Sequence, residues 1–557
     1  MADKPGMAEI GDQGSSAAVR GARAVAAATP AGRDRVVDFL RVFAIAAVVF
    51  GHWLMAVVTW RGGQGTGANA VEWISWAWIL TWLLQVMPLF FFVGGFANAA
   101  RLESGTRRSE GYAGFVRARL ERMLRPTVVF IIAWLALAAA ARAAGFPGGT
   151  LTLATRLVAK PLWFLGIYLA VTALAPAMLA LHRRFGIAVL VALALGAAAV
   201  DAVRFGTGTT GIGILNYALV WLFAHQLGFV YRDGRLPGRP AVRVAMAAGG
   251  LAAMILLTTV GGYPHSMVGL RGDPFSNMDP PTLALLALTL WEVAAAMLLR
   301  APLARWLARP RAWTRVVAAN SVVLTVFLWH LTALVVVAAI ALPVGLPQPT
   351  VGSSAWWLLR PAWLAMAGVA LALLVAVFAW AERGRRAGAS MRGVPRGVPT
   401  GEAFAPPRTP AARGAATGAA AIGAACAAVG ILALSFTGFD QPFSRAGVLL
   451  IVVRMNALQG LVYLGAAWAL LRATEGGARR ARRAAGRLAA GFAIVAAAGP
   501  AMAAHPAWNL LAVNGAASLL QEALAVALLA VAARRRGTPA PGEPAGDLGA
   551  FRPSASG

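Results

Sequence analysis

The sequence predicts an all-α polytopic membrane protein, a ten-helix bundle followed by a C-terminal four-helix membrane module. Three observations carry this reading. Hydrophobic residues make up 59% of the 557, against about one half in a soluble globular chain. Apolar runs of about twenty residues, each long enough to cross roughly 30 Å of hydrocarbon as a helix, recur along most of the length. Arginines collect in alternate loops between those runs, the positive-inside pattern, which assigns the arginine-rich loops and both termini to the cytoplasm and the chain to the cell membrane.

Residues 1–32, rich in Ala, Gly, Ser and Arg with no apolar run, read as a disordered cytoplasmic tail. The module 33–382 holds runs at 36–58, 74–100, 127–145, 161–181, 187–203, 212–231, 242–262, 282–300, 315–341 and 361–381. The first lacks a persuasive small-residue cleavage site and is taken as a retained span, not a signal peptide. Gly62-Gly-Gln-Gly65 after it lacks the strand and helix context of a phosphate loop and reads as a short outer turn. Residues 383–415, where Pro395, Pro399, Pro406, Pro407 and Pro410 interrupt any helix, form a flexible cytoplasmic linker. Runs at 416–437, 446–471, 488–504 and 508–533 make the membrane module 416–536, to which no role is assigned. In it Asn456-Ala-Leu-Gln459 and Asn514-Gly-Ala-Ala open comparable apolar runs, a weak sign of duplication. The tail 537–557, with Pro539, Pro541 and Pro544, is expected to be disordered.

The formal charge of +29 would point to nucleic acid in a soluble protein. Here the topology signal accounts for it: Arg183 and Arg184, then Arg232, Arg235 and Arg239, then Arg305, Arg309 and Arg311 fall in alternate loops, whereas 342–359 carries no charge. No nucleic-acid partner is expected. The single cysteine, Cys426, lies in an apolar run and supports neither a disulfide framework nor a zinc cluster. Linear order offers no carboxylate pair at metal spacing and no Ser-His-Asp arrangement, so no metal and no bound cofactor is assigned.

Ionisable groups inside a span are costly and mark sites of binding, transport or chemistry. Arg41 and His52 are eleven residues apart on the first span, three helical turns and about 16 Å along one face. A cation near the membrane surface is thus in line with a base expected deep inside. The plain alternatives are a snorkelling anchor for Arg41 and a histidine satisfied by a neighbouring helix. Asp38, about 21 Å from His52 along the axis, is a local i, i+3 partner for Arg41. Glu72, at the outer start of the second span, is a candidate orienter of His52. Glu292 lies mid-span and needs a partner, while His225, Gln226 and His330 read as structural hydrogen-bonding groups. Trp73, Trp76, Trp78 and Trp82 read as an interfacial aromatic belt, with carbohydrate stacking as the less favoured role.

Read together, these motifs resemble the signature of the integral-membrane acyltransferase-3 family, which moves acyl groups from acyl-coenzyme A to hydroxyls of sugars, lipids or antibiotics. The residues that carry the resemblance are Asp38-Phe-Leu-Arg41 with ten residues before His52, Met87-Pro-Leu-Phe-Phe-Phe-Val-Gly-Gly-Phe96, Arg119-Leu-Glu-Arg122-Met-Leu-Arg125-Pro126 and Leu162-Trp163-Phe164-Leu165. It covers residues 33–381 and leaves the last four spans unexplained. Gly94 stands where the family often has a serine, which removes one ligand hydroxyl, and no stretch of these residues reads as the fused extracytoplasmic hydrolase-like domain that the family sometimes carries.

The resemblance implies an O-acyltransferase with acyl-CoA as co-substrate, acetyl-CoA in the simplest case. Its acceptor is a hydroxyl-bearing glycan, lipid or small molecule. Arg41, Arg119, Arg122 and Arg125 would meet the phosphates from the cytoplasmic side through charge-assisted hydrogen bonds. Trp163 joins that donor-binding set, with core packing as its plain alternative. His52 would be the general base, with Glu72 behind it, and an acyl-histidine intermediate is the less favoured variant. A rival reading is a transporter or lipid flippase that uses the intramembrane His and Glu. A third makes the last four helices a scaffold that recruits a partner.

Overall fold

In the computed structural model, residues 21–534 are described apart from 31, 63, 108–110, 237–239, 384–409, 445–446, 451–452 and 506. Most of the linker and both outer tails lie outside the described residues. The part of the amino-terminal tail that is described is not disordered: residues 21–27 are helical. Ala26 there is buried, and the Trp313 indole donates to Thr29 Oγ1 at 3.0 Å.

Helix α1 (Arg35–Met55) starts where Asp34 accepts from the amides of Val36 and Val37, a side-chain N-cap that satisfies two orphan donors. It stops at Met55 and not at 58, because Val57-Val58-Thr59 enters a hairpin of β1 (Ala56–Arg61) and β2 (Gln64–Asn69). Branching at Cβ favours that extended backbone. Gly62, at φ +56, makes the turn. The second span is broken at Gln85 into α2 (Trp78–Leu84) and α3 (Met87–Arg107), since Pro88 has no N–H for the Leu84 carbonyl and its ring would clash with that carbonyl in a continuous helix.

Helices α4 (Tyr112–Ala143), α5 (Gly148–Ala159), α6 (Leu162–Phe185), α7 (Ala188–Thr207), α8 (Leu215–Arg232) and α9 (Pro240–Thr259) follow. Next come α10 (Leu283–Leu298), α11 (Arg300–Leu307), α12 (Pro310–Asn320), α13 (Val323–Ala341), α14 (Ser354–Phe378) and α15 (Trp380–Arg383). Joined at Lys160-Pro161, α5 and α6 act as one span. The glycines of α3 serve packing: a Cβ at Gly95 would lie 1.9 Å from the His225 carbonyl oxygen, so α3 and α8 meet backbone to backbone.

The last helices are α16 (Pro410–Thr437), α17 (Ala457–Glu475), α18 (Gly477–Ala504) and α19 (Gly515–Ala532), with a short hairpin of β3 (Val448–Leu450) and β4 (Val453–Met455) before α17. Residues 410–415, read as linker, already belong to α16. The expected span 446–471 is in part that hairpin, and Gln459 and Arg472 lower the hydropathy of the helix that follows. Twelve described helices are long and apolar enough to cross a membrane, thirteen with the bent pair α10 and α11, against the fourteen expected. Asn456 and Asn514 are matching N-caps, each accepting from the amide three residues on. The protein is an all-α, multi-pass membrane protein.

These four helices do not stand apart from the rest. α16 packs along α5 and α6, so closely that a Cβ at Gly166 would sit 2.8 Å from Leu432 Cγ. Buried Asp440 accepts from Thr152 Oγ1 at 2.5 Å and Thr155 Oγ1 at 2.9 Å, and Arg142 stands 3.7 Å away. Phe439 packs on Phe130, which packs on Trp329.

Candidate functional site

His52 lies in the last turn of α1, three residues before the helix ends, and not deep along it. Its ring sits amid the surrounding helices yet is exposed, as expected of a side chain lining an opening inside the protein. The group beside it is His330 of α13, wholly buried. The two rings are parallel to within 4°, and His52 Nδ1 is 2.7 Å from His330 Nε2. Glu72 occupies a 3-10 turn (Ala70–Glu72) beyond the hairpin, and the orienter's position is taken by His330.

The hydrogen bonds assign the tautomers. A carbonyl only accepts, so His330 Nδ1, 2.6 Å from the Phe327 oxygen, carries the proton. In a neutral ring its Nε2 is then an acceptor, and His52 Nδ1 must donate to it. That leaves His52 Nε2 with a bare lone pair. Trp53, the next residue, donates its indole N–H to the His330 carbonyl at 2.9 Å, a second tie between α1 and α13.

Lys160 is the other charged group within electrostatic reach of His52. The chain has only two lysines, Lys4 and Lys160, among fifty basic residues. Lys160 ends α5 in helical backbone, so it shares a face with Phe164 four residues on. Phe164 packs on Phe327 with centroids 5.3 Å apart, and Phe327 on His330 at 6.0 Å. The Lys160 side chain is exposed and makes no ion pair or hydrogen bond among the described residues.

A cluster of cations lies towards the other end of α1. Arg41, Arg101 and Arg122 are all within electrostatic reach of Arg119. Arg119 donates to the Ala97 carbonyl at 2.8 Å, and its Nε is buried without a partner among the described residues. Arg125, exposed one turn further on, is not among them. Asp38 pairs with Arg41 at 3.5 Å as expected, but Arg33 holds both of its oxygens, at 2.5 and 3.0 Å. Arg41 thus keeps most of its hydrogen-bonding capacity.

At Gly94 a Cβ would lie 2.7 Å from the Tyr168 hydroxyl, so that phenol fills the space a serine there would need. Trp163 packs against Phe164 and Trp221, at 6.2 and 6.3 Å. His225 pairs with Asn98, and Gln226 with His182. Glu292 is buried, and both its carboxylate oxygens lack a hydrogen-bond partner among the described residues.

Sequence reasoning missed His330 as the partner of His52, together with Lys160, Arg101 and Tyr168. Only the rarity of lysine was there to be noticed. A family model described as an acyltransferase domain matches residues 34–381, that is α1 to α15 without the last four helices. No curated protein and no solved structure matches the chain.

Proposed function

We propose, from the premise that the chain belongs to the acyltransferase-3 family and is a multi-pass membrane acyltransferase, that it transfers an acyl group from acyl-CoA to an acceptor hydroxyl. Acetyl is the simplest acyl group, and a glycan, a glycolipid or another small molecule is the acceptor. The observation that carries this reading is the relay from the Phe327 carbonyl through His330 to His52, which leaves Nε2 of His52 bare. A lone pair held in one tautomer at an accessible position is what a general base requires.

The arginine-rich face is read as cytoplasmic, where coenzyme A is made, with both termini on that side in the cell membrane. Arg41, Arg101, Arg119 and Arg122 would take the coenzyme phosphates. The pantetheine arm would run along α1 and bring the thioester to His52. Nε2 accepts the hydroxyl proton as the oxygen attacks the thioester carbon. The Lys160 ammonium faces the resulting oxyanion. Collapse breaks the C–S bond, and the leaving thiolate takes the proton back from the imidazolium. His330 acts as a positioning residue throughout.

Transfer of labelled acetyl from acetyl-CoA into lipid and glycan extracts, by membranes bearing wild type or His52→Ala at matched expression, tests the proposal. Label with wild type alone is the expected result and leads to the acceptor by mass analysis. Equal label in both removes His52 as base. The rival transporter reading expects cargo or proton movement with no label in either membrane.

A further inference from the structure

The face opposite the arginine-rich loops carries a cleft of 430 Å³, at the small end of the roughly 300–1,000 Å³ typical of small-ligand sites. Ser75, Trp78, Tyr263, His265, Ser266 and Asp273 bring its polar and aromatic groups. One wall is the start of α2 and the other is the loop between α9 and α10.

That loop is held as a fixed shape. Tyr263 donates to Asp201 at 3.0 Å, and Asp201 also accepts from Asn216 and the Leu283 amide. Asn277 donates to the carbonyls of Pro264 and Ser266, and Thr282 donates to Asn277. Across the cleft, Trp82 donates to the His265 carbonyl at 2.7 Å, and Thr81 accepts from the Met267 amide at 2.9 Å. The rings of Trp78 and His265 are 5.2 Å apart. Within this frame Asp273 Oδ2 is shielded and unpaired among the described residues. Burial pushes the Asp273 carboxyl above its ordinary range.

The chemistry of the lining narrows the ligand. No arginine or lysine is among the residues lining the cleft, so no permanent cation there would neutralise a phosphate or carboxylate, and Asp273 would repel one. The half-buried Trp78 indole, edge-on to Trp82 at 5.3 Å, brings an apolar ring to the cleft. A carboxyl, an imidazole and hydroxyls around it offer acceptors and donors for vicinal hydroxyls. A neutral polyhydroxylated ring fits that combination. The location agrees: Val71, Leu270 and Trp78 of the cleft pack in one apolar cluster with Leu54 and Met55, and Met55 is three residues, about 4.5 Å of helix rise, beyond His52.

We propose that this cleft binds a sugar ring of the acceptor, stacked on Trp78 and hydrogen-bonded by Asp273 and His265, so that a neighbouring hydroxyl reaches His52 from the arginine-poor face. The proposal rests on the O-acyltransferase reading for the sugar's role as acceptor, but not for its binding.

The test uses the full-length protein in lipid nanodiscs, applied to an array of mono- and oligosaccharides, followed by acetyl transfer to the glycans that bind. Wild type should bind a defined set. Trp78→Ala and Asp273→Asn should weaken that binding about tenfold or more, Trp78→Phe should restore part of it, and acceptor KM should rise in step. Trp76→Ala is the control: Trp76 is exposed at the same end of the bundle and packs on Trp357 outside the cleft. It should bind as wild type does, whereas equal loss in Trp76→Ala and Trp78→Ala would reduce both to membrane anchors. No glycan bound by wild type, or binding and acceptor KM unchanged in both cleft variants, overturns the proposal. Glycan binding without any acetyl transfer would keep the cleft's ligand and remove the reaction. Transfer with unchanged acceptor KM would do the reverse.

Discussion

Replacing His330 by leucine tests the tautomer relay directly. The change fills similar space but removes two contacts, the 2.7 Å contact to His52 Nδ1 and the 2.6 Å bond to the Phe327 carbonyl. In the variant, the Nδ1–H of His52 points at an apolar side chain. Loss of the bond to His330 withdraws about 1–3 kcal/mol of preference for the tautomer whose Nε2 is bare. The productive fraction of His52 should therefore drop roughly 5- to 150-fold. Turnover should fall by that factor, with donor KM little changed. His52→Ala removes the base itself and should lose roughly 10²- to 10⁴-fold. His330→Gln, whose amide oxygen can accept from Nδ1, should recover part of the loss. Steady-state kinetics with purified protein in nanodiscs separates kcat from KM. Full turnover in His330→Leu, or no difference between leucine and glutamine, would refute the relay.

Lys160→Met should lower kcat by about 10²- to 10³-fold, as loss of an oxyanion donor does, with Lys160→Arg retaining part of the rate; an unchanged kcat in the methionine variant would remove its assigned role. Arg41→Ala should raise the KM for acetyl-CoA roughly tenfold or more, through one lost charge-assisted hydrogen bond, and leave kcat within a few-fold; calorimetric titration of acetyl-CoA checks the same loss in binding. Asp440→Ala leaves the hydroxyls of Thr152 and Thr155 without their acceptor, at a cost of about 1–3 kcal/mol, so thermal unfolding in detergent should shift down, and less so for Asp440→Asn.

The fold class was legible because composition and span length need no tertiary information. The places where spans break were less so. Pro88 and Val57-Val58-Thr59 carried the signals that end or divide helices, but within long apolar runs the run itself outweighed them. At the site, Arg41, Arg119 and Arg122 were legible as cations on one face of the membrane, and they do gather. His330 was not, because 278 residues separate it from His52 and a histidine in an apolar helix has no local mark of its partner. Glu72 was chosen by nearness in sequence, and the hairpin does fold Asn69 back beside Ala56 at the end of α1, but the group on the His52 ring comes from α13. Separation of the last four helices was inferred from linker composition, which says nothing about what the segments on either side touch. Asp440 lies 285 residues from Thr155.

That interval has a cost in time. Chains emerge at about 5–20 residues per second, so on the order of 14 to 57 seconds pass between the synthesis of Thr155 and that of Asp440. For that interval α5 and α6, which flank Lys160, stand without the wall that α16 supplies. A nascent chain released before residue 440 leaves a bundle with two threonine hydroxyls turned towards an empty seat. Closure of that side of the bundle is thereby tied to translation beyond residue 440.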